Sequence, residues 1–158
     1  MAMKESSLIY DWNTVEYEFS RNPSNHPHGV WFDDETLRDG LQSPSARNPT
    51  IEQKIELLSF MEQLGLQKVD LGLPGAGPFH LEHIDAMLSH IKENDYSIRP
   101  GAAVRTLMGD IKPLVEMQAK HEMEIQASAF LGTSPIRQFT EGWTMEKLVT
   151  TMEGAVSY

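Results

Sequence analysis

Lys68-Val69-Asp70-Leu71-Gly72-Leu73-Pro74 is a short strand-forming run with an acid near its centre, and it breaks into a Pro/Gly loop that reaches Pro78. Beyond the loop, Leu81, Ile84, Leu88 and Ile91 recur at helical spacing, and the stripe stops near Asn94. Strand, loop and amphipathic helix make one βα unit, and the same order recurs on both sides of it. Upstream, Gly29-Val30-Trp31-Phe32-Asp33 predicts a strand, and Ile51, Ile55, Leu58, Met61 and Leu64 predict a helix. Thr50 with Gln53 three residues on has capping-box spacing, and Gly65 fits a left-handed stop. Downstream, Ile98 to Val104 predicts a third strand, and Asp110 is a candidate cap for a helix carrying Ile111, Leu114, Val115 and Ala119. Met123 to Phe130 predicts a fourth strand, Leu131 to Gly142 a loop, and Thr144 the cap of a last helix with Leu148, Met152 and Val156.

Alternating units predict parallel strands. The expected fold class is α/β, a (β/α)8 TIM barrel of about 250 residues when complete, of which this chain covers the first four units. An open three-layer sheet is the alternative. Against it, the Gly-x-Gly-x-x-Gly turn of dinucleotide binders is missing, and the loop after the first strand is charged from Asp34 to Asp39. Residues 1–28 read as an arm. It contains the turn-former run Arg21 to His28, and Trp12, Tyr17 and Phe19 imply that part of it packs on something. Residues 29–158 read as the N-terminal half of a barrel domain. Four units leave two unpaired edges, so the expectation is a fragment of a longer protein, or two copies that complete each other.

Lys plus Arg number 13 and Asp plus Glu 23, a formal net charge of −10. That balance argues against a nucleic-acid binder, which needs basic stripes, and against docking on an anionic membrane. There is no cysteine, which excludes disulfides, thiolate metal sites and Cys nucleophiles. Met1 to Tyr10 lacks the apolar core of a signal peptide, and no apolar run approaches the roughly 18–20 residues of a membrane span. A cytoplasmic location is the expectation.

In parallel barrels the chemistry sits on the loops after the strands. The first such loop, Asp33-Asp34-Glu35-Thr36-Leu37-Arg38-Asp39-Gly40-Leu41-Gln42-Ser43-Pro44, gathers four acids, an Arg and a Gln. Neighbouring carboxylates cannot all ionise cheaply unless a cation offsets them. A hard divalent metal held by an Asp and waters would do so, with Arg38 stabilising an anionic oxygen beside it. A solvated acidic loop with a surface ion pair accounts for the same residues. Arg105-Thr106 and the stretch Ala129 to Gln138 occupy the third and fourth strand ends.

The stretch Glu35 to Pro44 resembles the strand-1 signature of the Claisen-condensing metalloenzymes of the DRE-TIM metallolyase superfamily. That superfamily includes 2-isopropylmalate, homocitrate and citramalate synthases and 3-hydroxy-3-methylglutaryl-CoA lyase. Val69 to Pro74 is similar to its second strand, and Phe130-Leu131-Gly132-Thr133-Ser134-Pro135-Ile136-Arg137 to its fourth. The resemblance covers about residues 29 to 158. It implies a synthase that condenses acetyl-CoA with a 2-oxo acid, using a divalent metal (Mg or Mn, or Zn), in a homo-oligomer. By position, Arg38 would be the catalytic arginine and Asp39 a metal ligand. Gln42 would lie near the substrate or thioester, and Asp70, Arg105, Thr133, Ser134 and Arg137 would bind substrate. Asp70 stands where the family usually has Glu, and Arg137 where isopropylmalate synthases commonly have His. Leu41 is closer to the lyase branch, so a lyase running the site in reverse is the second reading, and a non-catalytic half-barrel assembly module is the third. The family's His-x-His metal pair has no counterpart after Arg137. His26 and His28 have that spacing but precede the first strand, and they read, like His80 and His83, as solvated surface residues.

Overall fold

The computed structural model describes residues 31–158. The arm, with Trp12, Tyr17, Phe19, His26 and His28, lies outside the described residues, as do Gly29 and Val30. The described chain forms two compact units, one of Trp31–Phe130 and one that includes Leu131–Ser157.

In the first unit the elements alternate: β1 (Asp33–Asp34), α1 (Ile51–Gln63), β2 (Lys68–Asp70), α2 (Pro78–Glu93), β3 (Arg99–Arg105), α3 (Met108–His121) and β4 (Gln126–Phe130). All strand pairs are parallel, and the sheet order is β1-β2-β3-β4. A doubly wound sheet reverses its strand order at a switch point. No reversal occurs among these strands, so the order is that of consecutive barrel staves. No helix among the described residues is long and apolar enough to cross a membrane.

The core lies between sheet and helices. Val69, Ala102 and Val104 are buried from the strands and Ile98 from the residue before β3, with Leu58, Met61, Ile84, Met87, Leu88, Ile91, Ile111 and Leu114 from the helices. The capping box at Thr50 forms in full, Thr50 accepting from the Gln53 amide and Gln53 accepting from the Thr50 amide. Gly65 adopts φ +72, which fits the predicted stop. Lys54 is buried between the first two helices, its ammonium 5.9 Å from the ring centre of Phe79.

Several expectations are corrected. β1 is shorter than predicted and begins at Asp33, because the Phe32 amide donates to the Gln67 side chain and Trp31 and Phe32 are exposed. Leu64, assigned to the α1 stripe, is 77% exposed, because the helix ends there and Gly65 turns the chain away. Asp110 does not cap α3. That helix starts at Met108 after Leu107, and Asp110 lies inside its first turn with its carboxylate engaged elsewhere. β4 starts at Gln126, not Met123, since Glu122 leaves α3 in the left-handed region at φ +52 and a short connection follows.

In the second unit, the stretch expected as a loop holds a helix, α4 (Pro135–Glu141). Ser134 caps it by accepting from the Arg137 amide at 3.2 Å, Pro135 opens it and Gly142 closes it at φ +63. Thr144 caps α5 (Met145–Val156) as predicted, accepting from the Lys147 amide at 3.2 Å.

Leu58 is 0% exposed and Leu64 is 77% exposed, although both carry the same stripe in sequence. Leu58→Ala should lower unfolding free energy by about 2–5 kcal/mol. Leu64→Ala should change it by less than about 0.5 kcal/mol. Urea denaturation of both variants checks the pair, and equal losses would contradict this packing.

Candidate active site

The site begins at the mouth of β1. Thr36 donates its amide to the Asp34 carboxylate at 2.8 Å, and the amides of Arg38 and Gly40 both donate to the Glu35 carbonyl at 3.1 Å. These bonds wind the charged loop into a compact turn that runs on into the short 3-10 turn Gly40–Gln42. Leu37 is the loop's anchor, 2% exposed inside an otherwise polar segment. Anchoring Leu37 sets its neighbour Arg38 facing the end of β2.

Arg38 meets three carboxylates. Nη2 pairs with Glu35, Nη1 donates to Asp39 Oδ1 at 3.1 Å, and Nε lies 3.5 Å from Asp70 Oδ2. The Nε contact is an ion pair without hydrogen-bond geometry, which leaves that buried N–H unsatisfied. Asp70 ends β2 and is buried, while Asp39 is exposed. The Asp70 Oδ1 accepts from the Gly72 amide at 3.0 Å and the Ala103 amide at 3.3 Å. Gly72 takes φ +146, a conformation that suits glycine, and a Cβ there would touch Ile84 at 3.4 Å.

Burial pushes the Asp70 carboxyl above its ordinary range, and the Glu35 charge adds to this. The amides of Gly72 and Ala103 and the Arg38 charge work the other way without cancelling burial.

With all three acids ionised, the group carries three negative charges and one positive, a net −2 that a divalent cation would offset. Asp39 fits a hard-metal ligand in character, being an exposed carboxylate with Oδ1 on Arg38. Among the described residues no three acid or imidazole groups converge on one point, so Asp39 would be one arm of a larger ligand set.

The structure thus brings together Arg38, Asp39 and Asp70 of the predicted residues. Glu35, an equal partner of Arg38, was missed, although its (i, i+3) spacing was readable. Gln42 is exposed at the end of the 3-10 turn. Arg105, at the end of β3, is held by Asp110 through Nε at 2.8 Å and Nη2 at 2.7 Å, and Nη2 also reaches the Gly75 carbonyl at 3.3 Å. Thr133, Ser134 and Arg137 belong to the second unit. There Ser134 is occupied as a helix cap, the Thr133 carbonyl accepts from Gln138 at 2.7 Å, and the Arg137 guanidinium lies 5.7 Å from the Trp143 ring centre. His80 and His83 are half-buried rather than solvated. Both pack on Phe79, with ring centres at 5.6 and 4.1 Å.

The HMGL-like family matches residues 30–158. A 2-isopropylmalate synthase of Sediminispirochaeta smaragdinae is 28% identical over 84% of this chain and 25% of its own length. Those of Campylobacter fetus and Crocosphaera subtropica are 35% and 31% identical, over 65% and 72% of this chain and 19% and 20% of their own lengths. The chain therefore spans a quarter or less of these curated relatives.

A carboxyl whose pKa is raised on folding holds its proton more tightly in the folded state. Its contribution to stability is lost as pH rises from the ordinary carboxylate range through the raised pKa. Asp70→Asn keeps the shape and an acceptor oxygen but cannot ionise. Its melting temperature relative to the parent chain should climb across that window and then level off, read from thermal melts between about pH 4 and about pH 8. A flat difference would show that burial does not dominate at Asp70.

Proposed function

The chain belongs to the HMGL-like family, and we propose that its barrel condenses acetyl-CoA with a 2-oxo acid. The observation that carries this reading is the Arg38 guanidinium, fixed among Glu35, Asp39 and Asp70 at the C-terminal ends of β1 and β2. The relatives' shared name supports it.

In the reaction, the acetyl-CoA methyl group loses a proton and its carbon forms a bond to the ketone carbon. The ketone oxygen becomes an alkoxide and takes up a proton. Water then cleaves the thioester, releasing CoA thiol and a 2-hydroxy diacid. Arg38 stabilises the enolate or alkoxide oxygen, because a preset cation beside a developing negative charge needs no reorganisation during the step. Asp70 faces Nε of Arg38 as an ion pair at 3.5 Å, and Glu35 and Asp39 hold the two terminal nitrogens. These carboxylates are committed to Arg38, so the base that takes the methyl proton is assigned outside the cluster. A divalent cation, when bound, supplies Lewis-acid polarisation of the ketone. Asp39 is the residue here that would hold it, and Gln42 lies three residues along the same turn. By the resemblance, Thr133, Ser134 and Arg137 would bind the 2-oxo acid, and the working form would be a homo-oligomer in the cytoplasm. A lyase running the site in reverse is the second reading, favoured by Leu41.

Arg38→Ala in the full-length protein should lower turnover by at least ~10²-fold, the scale for losing one oxyanion stabiliser. A thiol assay for CoA release with a panel of 2-oxo acids reads it, and turnover within about threefold of the parent would remove Arg38 from the mechanism. Acetyl-CoA formed from a branched hydroxyacyl-CoA, with no 2-oxo acid consumed in the forward assay, would decide for the lyase.

A further inference from the structure

Asp110 is 2% exposed, and its carboxylate is fully engaged. Oδ2 accepts from the Arg105 amide at 3.0 Å and from Arg105 Nε at 2.8 Å, and Oδ1 accepts from Nη2 at 2.7 Å. This is a two-pronged guanidinium–carboxylate fork, a geometry that fixes direction as well as charge. The same Nη2 donates to the Gly75 carbonyl at 3.3 Å. Gly75 lies so close that a Cβ there would stand 2.0 Å from Asp110 Oδ1. Gly75 belongs to the 3-10 turn Pro74–Ala76, whose amides are otherwise held only locally, Ala76 to the Leu73 carbonyl at 3.0 Å and Gly77 to that of Pro74 at 3.4 Å. The fork thus ties the loop after β2 to the end of β3. That loop follows closely on Asp70, which faces Arg38, and on Gly72, whose amide donates to Asp70. Arg105 Nη1 has no partner among the described residues, and the side chain is 46% exposed.

We propose that Asp110 is a positioning residue for substrate binding. Through the Arg105 fork and Gly75 it latches the Pro74–Gly77 loop to β3. It also holds the Arg105 guanidinium at the C-terminal end of β3, where Nη1, with no partner among the described residues, is available to the carboxylate of a 2-oxo acid. The binding role rests on the condensation reading, whereas the latch does not.

The test uses the full-length protein and Asp110→Asn, which keeps the side chain's shape and removes its charge. Hydrogen exchange at the Ala76 and Gly77 amides should quicken by at least about tenfold, with the β2 amides unchanged. The KM for the 2-oxo acid should rise about tenfold, kcat should fall less than about threefold, and the KM for acetyl-CoA should hold. A merely structural residue would lower kcat through loss of folded protein and leave KM alone. Should Asp110→Asn fail to fold, Arg105→Lys removes the fork at a half-exposed side chain; loop exchange then reads the latch, and an unchanged KM still overturns the binding role. Unchanged loop exchange overturns the latch, and faster exchange with unchanged KM overturns its binding role. If the parent protein turns over no 2-oxo acid, the condensation reading and the binding role fail together, while the exchange result still decides the latch.

Discussion

The Asp70 carboxylate is the point on which the site's geometry depends. β2 is three residues long, and Asp70 is its last. Its Oδ1 gathers the amides of Gly72 and Ala103, so the chain's exit from β2 is pinned against β3. Its Oδ2 faces Arg38 Nε. One side chain therefore joins three consecutive staves: it closes the second, grips the third and sets where the first delivers its arginine. β1 contributes only two paired residues, and could not place Arg38 by ladder bonds alone. The buried Leu37 supplies the remaining hold. An unpartnered carboxylate in that position would be costly, and burial does raise its pKa. The two amides and the guanidinium make the charge tolerable without making it free.

Element type was legible in the sequence and boundaries less so. The α1 cap at Thr50, the Gly65 stop and the cap at Thr144 read directly, because each depends on residues within one turn of one another. The end of α1 did not, since helical period alone cannot say on which turn the stripe leaves the core, and Leu64 falls past it. α4 was readable and was missed. Ser134-Pro135 opening and Gly142 closing is a complete helix signature, obscured by treating a functional motif as a loop. Within the site, Arg38 and a metal-holding Asp were legible in the charged loop itself, and the choice of Asp39 and the inclusion of Asp70 came from motif resemblance. Glu35 sits at helical spacing from Arg38 and needed only geometry. The engagement of Arg105 by Asp110 could not be deduced from local rules, because the same acid at the start of α3 is equally credible as a cap, and only the path of the chain after β3 decides between them.

Charge along the sheet gives a further constraint on what the site can accept. Registered neighbours in a parallel sheet point to the same side, so Asp33, Lys68 and Arg99 form one row, and Asp70, Gly101 and Gln126 the next. Gly101 has no side chain, and a Cβ there would stand 3.2 Å from the Gln126 carbonyl. Lys68 crosses that gap to reach Gln126 Oε1 at 2.6 Å, while Arg99 stacks on Trp31 at 4.6 Å. Both cations of this end are thereby committed to neutral partners. The third cation of the face, Arg105, is committed to Asp110. Arg38 alone faces Glu35, Asp39 and Asp70, and the net negative charge of that cluster is not relieved by any other basic side chain paired to it among the described residues. A site of this balance would favour an external cation over an anion. An anionic substrate would be favoured only once such a cation had offset the field, which accords with the metal-assisted condensation proposed for the barrel.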